Sequence, residues 1–144
     1  MIKIILKKRG WPVFKGLIIA AVMVLASGFA VQAAALRVIS VAAEAKGEKL
    51  VLRVALSAEA KPRVFAMDVK GAQPRVVIDF LAAVASRLPA RLASPSPLAV
   101  AIRLGSHPDK IRLVIDLVPG GVYKVEQWWR RDIKEYVLIL STGE

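Results

Sequence analysis

Two stretches of this chain repeat one chemical pattern. Arg75-Val76-Val77-Ile78-Asp79-Phe80 and Arg112-Leu113-Val114-Ile115-Asp116-Leu117 each set an arginine and an aspartate four residues apart, and the second begins at position 112, 37 residues after the first at position 75. A guanidinium offers a planar fork of donors to carboxylates and phosphates, and a carboxylate accepts from cations and hydroxyls. Two matching patches suit the gripping of a repeating polymer at two points, where the second contact adds avidity without a deep pocket. The plainer alternative is that all four are solvated strand charges pairing across strands, worth under about 1 kcal/mol each. The two aspartates make a poor hydrolytic pair. A glycosidase holds its carboxylates ~5 to 9.5 Å apart across a cleft, and the flat faces of equivalent strands offer none.

Alternation decides where these charges point. Successive strand residues face opposite sides, so Val76, Ile78 and Phe80 share one face with Ile111, Leu113, Ile115 and Leu117, while Arg75, Val77, Asp79, Arg112, Val114 and Asp116 share the other. The first set reads as core and the second as outer surface. Along one strand, four residues span roughly 13 Å, too far for a direct Arg–Asp bridge. The partners must come from neighbouring strands, from solvent or from a ligand. Arginine at 75 and 112 is therefore expected to matter little for stability, and isoleucine at 78 and 115 to matter a great deal.

Other chemistry is sparse. There is no cysteine and a single histidine, His107, which removes disulfides, thiolate metal sites, cysteine nucleophiles and His-rich metal centres. His107 lies between Ser106 and Pro108 and reads as an exposed turn residue, because a sequence-adjacent Ser-His pair is not a triad. No glycine-rich phosphate loop, HExxH or nucleophile elbow occurs. No enzyme and no cofactor is expected. Trp128 and Trp129 are adjacent, so one should face the core and the other the outside. An outward tryptophan beside Arg130 and Arg131 could stack on a sugar or sit at a membrane interface, or simply be an edge residue under a loop.

The elements that must position these residues are short apolar alternations broken by turns. Leu36 to Ala43 and Lys49 to Leu56 flank a polar turn containing Gly47. Arg63 to Lys70 returns through Gly71–Pro74 into Arg75 to Phe80, and Leu98 to Leu104 returns through 105–110 into Ile111 to Leu117. Val122 to Trp129 and Glu135 to Leu140 close the series. Segment 81–97 carries Pro89, Pro95 and Pro97 and is expected to cross between halves, with one helical turn over Ala82 to Arg87. The fold class is all-β: a two-sheet β-sandwich of about eight short strands with an internal pseudo-symmetric repeat, preceded by an N-terminal signal or anchor helix.

The chain has 144 residues, and its first 33 hold Lys3, Lys7, Lys8, Arg9 and Lys15 with no acid, ahead of an apolar run from Leu17 to Ala26. Val31-Gln32-Ala33 offers the small residues a signal peptidase reads, with cleavage before Ala34. Residues 1–33 are thus expected to be an export signal or a retained membrane anchor, and 34–144 the folded domain. Whole-chain charge is +11, from 22 basic and 11 acidic residues. Without the five N-terminal cations it is 17 against 11, or +6. Nucleic acid is not expected as a partner, since much of the excess belongs to the export segment. Contact with the membrane is expected only through that segment.

Together, the twin R-x-V-I-D-[FL] strands, the Val100-Ala101-Ile102-Arg103-Leu104-Gly105 strand before the second, and its proline-containing turn resemble the AMIN domain over about Ala35 to Leu140. That family is found in front of cell-wall amidases and type IV pilus secretins. The resemblance implies a periplasmic or envelope β-sandwich that binds peptidoglycan and localises its host, with Arg75, Asp79, Arg103, Arg112 and Asp116 at the characteristic positions. Trp128 and Trp129 are added as candidate contacts on their chemistry alone. No amidase or secretin domain follows, so the module is expected to stand alone. It would recruit a wall hydrolase or a secretion or pilus protein, or instead act as a scaffold of such a machine through protein contacts.

Overall fold

The computed structural model describes residues 4–8 and 34–143. Its strands are β1 (Ile4–Lys8), β2 (Leu36–Lys46), β3 (Lys49–Leu56), β4 (Arg63–Met67), β5 (Arg75–Leu81), β6 (Ala83–Ala85), β7 (Arg91–Leu92), β8 (Ala99–His107), β9 (Lys110–Leu117), β10 (Tyr123–Arg130) and β11 (Glu135–Thr142). They form a first sheet ordered β1-β10-β11-β3-β2-β6 and a second ordered β4-β5-β9-β8-β7. The expected signal or anchor helix over 1–33 lies outside the described residues except for Ile4–Lys8, which is not helical: it runs as a parallel edge strand beside β10.

All four expected hairpins form. The β2–β3 and β8–β9 turns are equally tight: Lys46 pairs with Lys49 around Gly47 and Glu48, and His107 with Lys110 around Pro108 and Asp109. Gly47 sits at φ 60°, a left-handed value that the first of these turns uses at its first position and that glycine adopts without a Cβ clash. The core is the inner face of each sheet. Leu50, Leu52, Val54 and Leu56 of β3, with Tyr136, Leu138 and Leu140 of β11, meet Val76, Ile78 and Phe80 of β5 and Ile111, Leu113, Ile115 and Leu117 of β9. The β5 and β9 residues are the alternate positions the sequence pattern assigns inward. Phe80 and Tyr136 lock the sheets together edge to face, with ring centroids 5.6 Å apart and planes at 85°. The buried Tyr136 hydroxyl donates to Gln127 Oε1 at 2.7 Å, so this polar group is satisfied within the sandwich.

Segment 81–97 departs from expectation. Instead of a helical turn, Ala83–Ala85 pairs in parallel with Leu36–Val38 at the edge of the first sheet, and Arg91–Leu92 pairs with β8 in the second. Ala82 and Arg87, at φ 54° and 61°, bend the chain on either side of β6. The helical propensity of three alanines is a weak preference, and hydrogen bonding along the otherwise open β2 edge overrides it. The two repeat hairpins, β4–β5 and β8–β9, lie side by side in the second sheet, with β5 and β9 as antiparallel neighbours.

Candidate functional site

The antiparallel pairing of β5 with β9 gives the repeated motif its geometry. Because each strand carries Arg-x-x-x-Asp and the strands run in opposite directions, the register sets Arg75 opposite Asp116 and Asp79 opposite Arg112, with Val77 facing Val114 between them. Each arginine thus meets the aspartate of the other copy. Arg112 donates from Nε and Nη2 to Asp79 at 2.7 and 2.8 Å. Arg103, from β8, grips Asp116 in the same way, with both contacts at 2.7 Å. Arg75 Nε approaches Asp116 Oδ1 at 3.2 Å.

The chain around these pairs brings in more cations. On β4, Arg63 stands opposite Asp79 and Phe65 opposite Val77. The guanidinium carbons of Arg63 and Arg112 lie 5.4 and 5.7 Å from the centroid of the Phe65 ring, so the ring is shared between two cations. Lys110 shares the outer face of β9, and Arg91 on β7 stands opposite Arg103. The result is an outer face with guanidinium groups spread from β4 to β7.

Two linked expectations need correcting: that these charges are solvated, and that Arg112, which holds Asp79 with two hydrogen bonds, matters little for stability. The aspartates are not solvated: Asp79 is 2 % exposed and Asp116 8 %. Arg112, through its hydrogen bonds first and its charge second, holds the Asp79 carboxyl below the usual range against the opposing effect of burial, helped by Lys110 and Arg63. The same pairing raises Arg112, and Asp116 raises Arg103. Alternation put these side chains on the correct face but could not show that the two motifs would pair with each other. That pairing closes the acids beneath arginine stems.

The structure gathers Arg75, Asp79, Arg103, Arg112 and Asp116 on this one face. It does not bring Trp128 and Trp129 to them. Both are on β10 in the first sheet, where Trp129 packs against the core and Trp128, paired with Val137, points from the opposite side. One inward and one outward tryptophan agrees with the sequence pattern, but the outward ring is on the far side of the sandwich, beyond a sheet spacing of ~10 Å. His107 is exposed at the end of β8. Arg63, Phe65 and Arg91 were missed by sequence reasoning. The signal for the first two was present, because Arg63-Val64-Phe65 alternates like the repeat strands, whereas β7 is only two residues long and leaves no pattern.

The AMIN domain family model matches residues 37–137, a span that begins in β2, ends in β11 and contains every strand of this face. No curated protein matches the chain.

Proposed function

The chain belongs to the AMIN domain family, and from that premise we propose that it is an exported, non-enzymatic envelope module that binds peptidoglycan through the outer face of the second sheet. AMIN domains are non-catalytic targeting modules that bind peptidoglycan and localise proteins in the cell envelope. In this reading residues 1–33 direct export, 34–144 form the binding domain, and Arg75, Arg103 and Arg112 contact the wall while Asp79 and Asp116 hold them in place. The module keeps itself, or a wall hydrolase or secretion or pilus partner, at the wall.

The observation that carries the reading is the charge imbalance of the face. Arg63, Arg75, Arg91, Arg103, Arg112 and Lys110 stand around Asp79 and Asp116, with Asp109 beside Lys110, and each of the first two acids already holds one arginine in a bidentate grip. A cation-rich surface spread over five strands, with donors to spare, suits an extended anionic polymer.

Co-sedimentation of the purified protein with isolated sacculi tests this. Binding is expected to persist at about 300 mM salt, where screening has shortened the reach of generic charge attraction to well under 10 Å. Release of all bound protein by that concentration would contradict specific recognition and favour a scaffold that acts through protein contacts.

A further inference from the structure

We propose that the element of the wall recognised by this face is the free carboxylate of its peptide stems rather than the sugar backbone, and that Arg91 and Arg103 form its principal seat. This rests on the wall-binding reading above and adds the ligand chemistry to it. Four observations lead there.

The face already shows the required grip twice, since both Arg112 and Arg103 hold a carboxylate side-on through two donors at 2.7 to 2.8 Å. Neither arginine is used up by this, because Nη1 is left over on each half-buried guanidinium. Asp116 is also oversubscribed: Arg103 takes both of its oxygens, and Arg75 Nε, 3.2 Å from one of them, is a buried donor without a hydrogen bond. A second acceptor nearby would satisfy it.

Arg91 and Arg103 stand directly opposite each other on β7 and β8. Like charges in that position are destabilising, and an anion held between them removes the conflict. Asp116, at the next level along β9, answers Arg103 but already has two arginines, and among the described residues no carboxylate is paired with Arg91.

The face also lacks a platform for sugar. Among the described residues its one aromatic ring is Phe65, covered by Arg63 and Arg112, and Trp128 and Trp129 lie in the other sheet. An uncharged sugar would find guanidinium forks and no stacking surface, whereas a planar carboxylate fits the forks.

The test compares binding of the full chain, at about 300 mM salt, to three preparations: untreated sacculi, sacculi whose carboxylates have been amidated with carbodiimide and ammonia, and glycan strands freed of their stems. Untreated walls should bind, amidated walls should bind at least roughly tenfold more weakly, and bare glycan should not bind, since one charge-assisted contact is worth a factor of that order or more. Arg91→Gln should lower affinity for untreated walls by roughly tenfold and add little to the effect of amidation. Its melting curve should not fall below that of the parent, because Arg91 is exposed on a two-residue edge strand and stands opposite a like charge. Equal binding to untreated and amidated walls, or good binding to bare glycan, would overturn the carboxylate inference and leave wall binding standing. Absence of binding to untreated walls would overturn both, and undiminished binding by Arg91→Gln would overturn the assignment of the seat.

Discussion

Arg112→Ala is expected to destabilise the protein by about 3 to 5 kcal/mol, because it leaves the Asp79 carboxylate in a closed site without its bidentate partner. Arg63 and Lys110, whose charges also act on Asp79, should keep the loss toward the lower end. Removing both charges together, as Asp79→Leu with Arg112→Leu, should cost much less than the single change, since no uncompensated ion remains. The acid response gives a second check. In the parent protein the pKa of Asp79 is lowered on folding, so its contribution is fully present above the unfolded value of ~3.9 and is lost as pH falls through the lower folded value. Parental stability should therefore hold through neutrality and begin to fall below about pH 4. In Arg112→Ala the lowering by Arg112 is gone while burial still opposes the charged form, so the deficit relative to the parent should shrink with acidification. Urea denaturation at neutral and acidic pH measures both. An Arg112→Ala deficit below about 1 kcal/mol would instead fit the behaviour of exposed ion pairs.

Phe80→Ala should cost about 3 to 5 kcal/mol by a different route, the loss of buried ring surface together with the cavity left behind. Phe80 is the second sheet's half of the edge-to-face contact with Tyr136, so the substitution removes packing from both sheets at once. Tyr136 is not free to swing into the space. Its hydroxyl is committed to Gln127, and burial pushes the phenol pKa up, keeping it a neutral donor. For a domain near 100 residues a loss of this size lowers the melting temperature by roughly 12 °C or more. A calorimetric shift of only a few degrees would mean that the sheets close over the gap without difficulty.

These two residues also show what the sequence could and could not reveal. Period-two alternation identified Phe80, Ile78 and Val76 as core and Arg75, Val77 and Asp79 as outer, because side-chain direction is a local property of a strand. It could not show that Asp79 would be closed in, because that depends on which strand becomes its neighbour and in what register. The repeat offered a clue: two copies of Arg-x-x-x-Asp laid antiparallel satisfy one another when their centres, Val77 and Val114, face each other. The helical turn expected over Ala82 to Arg87 failed for a related reason, since the deciding contact, with Leu36–Val38, is distant in sequence. Strands of two or three residues such as β6 and β7 contain too few alternations to leave any pattern. Family resemblance located five of the face's residues, and only the register of β4 and β7 added Arg63 and Arg91.

The claim that the second sheet's outer face meets the wall is tested most directly by nuclear magnetic resonance, titrating isotopically labelled protein with a soluble digest of peptidoglycan. The Nε–H signals of Arg75, Arg91 and Arg103 should shift and broaden, while the indole signal of Trp128, on the opposite side of the sandwich, stays in place. Movement confined to the Trp128 indole, with the arginine signals unchanged, would contradict the account and transfer binding to the first sheet.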